Sequence, residues 1–267
     1  MKKYLVVLCV VFMVGCSEKE EPDESRADMR KDTSVERTGI SSMPWVDKPF
    51  SDWPQLLLTN EAYFEDSRSL YGASAFLIKN RSGKVFAATA RHLIGPAGGV
   101  EPAIGAGDLD KVLKSWVLAI RNTDFSNRVN VTGAAPIGLD DPNLDWLILQ
   151  IADQVGRLPA TPLEMRDTPV KVGETVYLLG VPYSDKTSTQ NLYKGKVTER
   201  ADGNRFSYSI RPAANIRGFS GAPILDTKGF LVGVMSLWFE PAMQGEKYLE
   251  AGGEDIEPNI VDINNMK

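Results

Sequence analysis

Across residues 44–245 this 267-residue chain is written in short apolar runs broken by turn-forming clusters, and no stretch sustains an apolar period of 3.6 residues. That pattern excludes a helical bundle and predicts an all-β fold with little helix. Residues 73–78 and 84–88, separated by Asn80-Arg81-Ser82-Gly83, read as a hairpin. Residues 115–120 and 146–151 are two more strand candidates. Further on, 174–179, 193–199, 206–210, 222–225 and 230–236 follow the same style, the last two flanking the turn Asp226-Thr227-Lys228-Gly229. A region of roughly 200 residues built this way suits one large β unit or two small barrels.

The ends differ from this middle. Lys2 and Lys3 precede an apolar run over 4–14 that is too short to remain in a bilayer as a span and reads as a secretion signal. Its close, Met13-Val14-Gly15-Cys16, resembles the lipobox of bacterial lipoproteins. The resemblance implies a signal over 1–15 that is removed, a lipidated Cys16, and anchoring in the bacterial cell envelope; the alternative is a soluble secreted protein. Residues 16–43, charged and nearly free of apolar side chains, are expected to be a disordered tether, favoured as a spacer although also compatible with partner binding. The acidic tail over 246–267 is expected either to cap the fold as a short helix or to fray.

Counting restricts the chemistry. The only other cysteine, Cys9, falls within the expected signal, so the mature chain would have no thiol for a disulfide, a nucleophile or a zinc site. A single histidine, His92, makes a histidine-rich metal site implausible, and no metal or cofactor is expected. A net charge of −5 with both signs interspersed gives no basic stripe to follow a phosphate backbone, so nucleic acid is not an expected partner.

The strongest local signal is Gly218-Phe219-Ser220-Gly221-Ala222-Pro223. A serine hydroxyl becomes a useful nucleophile when a sharp turn presents it beside a base. Its own backbone N–H and that of a glycine two residues earlier can then point at a developing oxyanion, a role Gly218 and Ser220 fit. Alone, the motif is as well explained by a plain turn between strands. His92, at the end of a predicted strand in Ala88-Thr89-Ala90-Arg91-His92, is the one imidazole base available to Ser220; on its own it would read as an exposed or structurally bonded histidine. Asp145, immediately before the run 146–151, is placed to orient that imidazole, whereas Asp140 and Asp141 sit in a turn-rich loop.

Taken in order, these segments resemble the trypsin-like, chymotrypsin-fold serine proteases. Residues 88–92 are similar to that family's Thr-Ala-Ala-His segment, 144–149 to its Asp-Leu-Ala-Leu-Leu segment, and 218–223 to its Gly-Asp-Ser-Gly-Gly-Pro segment; 172–182 resembles the opening strand of the second barrel in bacterial members. The resemblance implies two six-stranded antiparallel β-barrels packed together, one over about 50–155 and one over about 160–245. It also implies a His92–Asp145–Ser220 triad and hydrolysis of protein or peptide substrates through an acyl-enzyme. By the same resemblance the primary specificity pocket lies between the stretch leading to Ser220 and the strand carrying Ser236, Leu237 and Trp238. Ala214 stands at its base and Arg217 at its rim. A pocket base without a carboxylate implies selectivity for small or medium apolar side chains rather than Lys or Arg, with Arg217 a contact for an acidic group.

Three departures keep a second reading in view, that of a silent protease fold serving as a binding or scaffold module. Phe219 stands where digestive members carry an aspartate that pairs with a newly freed amino terminus, Ala222 replaces a glycine, and Arg91 replaces a small residue before the histidine without an evident role. An esterase is disfavoured, because the motif lacks Gly-x-Ser-x-Gly spacing.

Overall fold

The computed structural model describes residues 42–139, 141–152, 157–201, 204–239 and 249–255. The expected signal, Cys16 and nearly all of the tether lie outside the described residues. The tether's last residue, Met43, does not: its N–H donates to the Lys228 carbonyl at 2.7 Å, so the folded part begins slightly earlier than residue 44.

The first barrel is made of β1 (Leu57–Phe64), β2 (Ser69–Lys79), β3 (Val85–Ala90), β4 (Leu113–Ala119), β5 (Arg128–Ala134) and β6 (Trp146–Ile151). Its strands run β1-β4-β5-β6-β3-β2, and β2 pairs back onto β1 to close it. A two-residue strand, β7 (Leu163–Glu164), joins β2 in parallel. The second barrel comprises β8 (Thr175–Gly180), β9 (Asn191–Arg200), β10 (Arg205–Ile210), β11 (Pro223–Asp226), β12 (Leu231–Phe239) and β13 (Leu249–Asp255), closed in the order β10-β13-β12-β11-β8-β9. Both barrels therefore follow one plan, in which the third strand neighbours the sixth and the fourth neighbours the first or its counterpart. Closure leaves no long unpaired edge. The four-residue α1 (Leu109–Val112) is the only α-helix among the described residues.

Two of the expected boundaries need correction. The second barrel does not stop near residue 245: Leu249–Asp255, assigned from sequence to a helical or frayed tail, is its sixth strand, paired with both β10 and β12. Two glycines and three acidic residues in seven give that segment poor intrinsic strand propensity. Its neighbours nevertheless demand small residues, since a Cβ on Gly253 would lie 2.6 Å from both the Phe206 ring and Ile224. Residues 163–164, placed from sequence in the second barrel, extend the first barrel's sheet instead.

Burial explains why the middle strands were legible. On β2, Ala75 and Leu77 face the first barrel's interior, whereas Phe76 and Ile78 face a second apolar layer shared with Leu179, Leu225, Leu231 and Val234 of the other barrel. Both faces of β3, of β6 and of β2 from Ala73 on are largely covered, so these stretches read as nearly continuous apolar runs rather than as alternation. Each fully buried side chain of this size contributes about 1.5–3 kcal/mol relative to exposure. A third layer, including Phe206, Tyr208, Phe219 and Ile224, fills the second barrel.

Candidate active site

His92 and Asp145 are brought together by sheet pairing. Ala90 at the end of β3 lies opposite Trp146 at the start of β6, so the next residue outward on one strand meets the previous residue on the other. The Arg91 N–H donates to the Asp145 carbonyl at 2.5 Å and the His92 N–H to Asp145 Oδ1 at 2.9 Å. The His92 ring then sits with Nδ1 2.7 Å from Asp145 Oδ2. A carboxylate only accepts, so Nδ1–H is the donor, and in the neutral imidazole Nε2 then keeps its lone pair. The Ser236 hydroxyl, from β12 of the other barrel, also donates to Oδ2.

Arg91 has a structural role that its position in the sequence did not reveal. Its guanidinium donates to the carbonyls of Gly138, Leu139 and Asp141, fastening the loop that leads to Asp145 onto the end of β3. A small residue there could not do this.

Ser220 arrives by a different route, on the turn before β11. Phe219 anchors that turn by burial: it is fully enclosed, and a Cβ on Gly180 would come within 2.4 Å of its ring. The position that the resemblance would fill with an aspartate thus holds the turn by packing and not by an ion pair. Gly218 and Gly221 have φ of +102° and +82°, the left-handed region in which a Cβ is strained. At Gly221 a Cβ would also lie 2.3 Å from the Ser74 carbonyl of β2, so the turn passes directly against the first barrel. There the Ser74 N–H donates to the Ser220 carbonyl at 2.9 Å and the Ser74 hydroxyl to the Gly218 carbonyl at 2.9 Å.

The peptide joining Arg217 to Gly218 is oriented by the Tyr183 N–H, which donates to the Arg217 carbonyl at 3.0 Å. In a trans peptide the N–H points opposite to the C=O, so the Gly218 N–H faces away from Tyr183. Among the described residues, neither that N–H nor the Ser220 N–H has an intrachain acceptor. Ser220 Oγ likewise takes part in no hydrogen bond there, including to His92.

His92, Asp145, Ser220 and Ser236 all line one cleft of about 690 Å³, with Asn143 and Arg205 also on its wall. The remaining sequence candidates scatter around it. Ala214 packs against the second barrel's core, and Arg217 is exposed with its N–H on Asn215 Oδ1. The backbones of Leu237 and Trp238 continue β12 opposite Gly252 and Ala251, while their side chains lie outside the described residues.

Sequence reasoning missed Glu254 altogether. It is buried on β13, and its Oε2 accepts the Asp145 N–H at 2.5 Å. Burial pushes its carboxyl up to about 7; the Asp145 and Asp141 charges act in the same direction, against the Asp145 N–H and Arg205. No sequence signal distinguishes it from its acidic neighbours in the tail.

Two closed, six-stranded antiparallel barrels with this cleft define the chymotrypsin-like architecture. Residues 73–234, more than half of the chain, match the trypsin-like peptidase domain, and the chain belongs to that family. Three solved structures show the same fold at low identity. The thermostable serine protease AL20 from an extremophilic microorganism is 14% identical, with 78% of this chain and 94% of that one covered at a TM-score of 0.52. Kallikrein-related peptidase 10 is 13% identical over 78% and 93% at a TM-score of 0.54. The protease Anisep from Arthrobacter nicotinovorans is 11% identical over 76% and 90% at a TM-score of 0.53. No curated protein sequence matches the chain.

Proposed function

We propose that this protein is a serine endopeptidase working through His92, Asp145 and Ser220. The observation that carries the reading is the Asp145–His92 pair, bonded at 2.7 Å with Nε2 left free, in the same cleft as Ser220. His92 Nε2 takes the Ser220 hydroxyl proton as Ser220 Oγ attacks a peptide carbonyl, and Asp145 stabilises the imidazolium that forms. The unengaged N–H groups of Gly218 and Ser220 hold the oxyanion; a donor of this kind is worth about 3 kcal/mol in the transition state. The imidazolium returns its proton to the leaving amine, and water activated by His92 then releases the acyl group.

The resemblance puts Ala214 at the pocket base, which favours small or medium apolar side chains before the scissile bond, and exposed Arg217 suits an acidic group nearby. Cys16 carries a lipid that ties the protein to the bacterial envelope through the tether. Metabolic fatty-acid labelling is expected to disappear in Cys16→Ala; label that persists would refute the anchor.

A fluorophosphonate probe tests the chemistry. Wild type is expected to label and to hydrolyse protein substrates, and Ser220→Ala to lose both, by up to about a millionfold in turnover. One observation favours a second reading, that of a binding module: Ser220 Oγ makes no hydrogen bond to His92 among the described residues. Such contacts often tighten only when substrate is bound. A folded wild type that neither labels nor hydrolyses would support the module instead.

A further inference from the structure

We propose that Glu254 is a positioning residue for Asp145, through which the last strand of the second barrel sets the alignment of the His92–Asp145 pair. Asp145 is gripped at three points. Its carboxylate accepts the His92 N–H and ring Nδ1–H and, from the second barrel, the Ser236 hydroxyl. Those contacts act on the side chain; the backbone of Asp145 is held separately, on either side of its Cα. The Asp145 carbonyl is held by the Arg91 N–H from the first barrel, and among the described residues the Asp145 N–H is held by Glu254 alone, from the second. Glu254 can do this because β13 lies between β10 and β12, which carries Ser236, with Glu254 opposite Val234 and Arg205.

The chemistry of the site makes an incidental contact a poor explanation. A fully enclosed carboxylate one bond from a second carboxylate-bearing residue is costly unless a strong donor meets it. Burial alone would be served as well by an apolar residue at that strand position. What Glu254 supplies that an apolar residue cannot is an acceptor, 2.5 Å from the backbone of the aspartate that orients the histidine. A displacement of Asp145 by about 1 Å is the kind of error that costs a triad up to about a hundredfold.

The kinetic consequence rests on the peptidase reading, so the test pairs a rate with a measurement that does not need turnover. Probe-labelling rates and amide hydrogen exchange at Asp145 are compared in folded wild type, Glu254→Gln, Glu254→Asp and Glu254→Leu. Gln keeps the acceptor without the charge and is expected to hold the labelling rate within about threefold of wild type, with Asp145 exchange still slow. Asp keeps the charge but is one methylene short. It is expected, like Leu, to lose about tenfold or more in labelling and to speed Asp145 exchange by a similar factor. If Leu destabilises the barrel, the contrast between Gln and Asp still decides. Asp behaving like wild type in exchange, or Gln losing as much as Asp, would overturn the positioning role. If folded wild type does not label at all, the peptidase reading fails, while the exchange measurements still decide whether Glu254 holds the Asp145 turn.

Discussion

The two barrels share a strand plan but deliver their chemical groups in unlike ways. In the first, His92 and Asp145 sit at the ends of neighbouring strands, and the pairing of Ala90 with Trp146 sets their spacing before any side chain acts. Here the sheet is the positioning device. In the second, Ser220 rides on a turn whose shape depends on two positive-φ glycines, on Phe219 wedged against Gly180, and on donors from Tyr183 and Ser74. Its other contributions, Ser236 and Glu254, reach across to Asp145. The lesson is that a hydrogen-bonded ladder fixes geometry cheaply wherever two groups fall on adjacent strands, whereas a side chain presented on a turn needs packing from several directions at once.

That contrast can be tested first where the second barrel depends on packing. Phe219→Ala removes the wedge and is expected to cost about 3–5 kcal/mol in chemical denaturation, with probe labelling falling as well. A loss below about 1 kcal/mol would mean that the turn holds its shape without the wedge. Next in size is a gain. The folded state raises the Glu254 carboxyl from its ordinary 4.5 to about 7, so it binds that proton more tightly than the unfolded chain does. Stability from this group therefore falls as pH rises from about 4.5 to about 7 and stays reduced above it, by at most about 3 kcal/mol. Glu254→Gln should accordingly be more stable than wild type above pH 7, the difference vanishing below about pH 4.5. Equal stability across that window would show that the carboxylate is not strained. The smallest effect is expected in the first barrel, where the ladder does most of the positioning. Arg91→Ala releases the carbonyls of Gly138, Leu139 and Asp141 yet leaves the β3–β6 pairing, so labelling should fall only about tenfold, equivalent to about 1.4 kcal/mol. A loss as large as that of Ser220→Ala would show that the loop, and not the ladder, positions Asp145.

How much of this was legible follows from where each strand lies. β3, β6 and the second half of β2 are largely buried on both faces and announce themselves as apolar runs. β1 and β5 did not, because their sequences carry polar residues that only the assembled barrel satisfies or exposes. Asn60 on β1 is buried, donating to the carbonyls of Gly72 and Ser74 and accepting from the Trp116 ring N–H. β13 was hidden more deeply, since its glycines and acids are the signature of a frayed tail until Phe206, Ile224 and Asp145 are placed beside it.

The sequence by itself determined the β class, the order His92, Asp145, Ser220, and a glycine-flanked turn able to present Ser220. These are properties of local runs and of residue counts, which need no knowledge of long-range contacts. Only the tertiary structure decided what Arg91 and Phe219 are for, which strand closes the second barrel, and that a buried Glu254 meets the backbone of Asp145. Each of those depends on residues far apart in the chain whose polar groups find partners only once both barrels have closed, because the cost of burying them is offset by contacts that no linear pattern encodes.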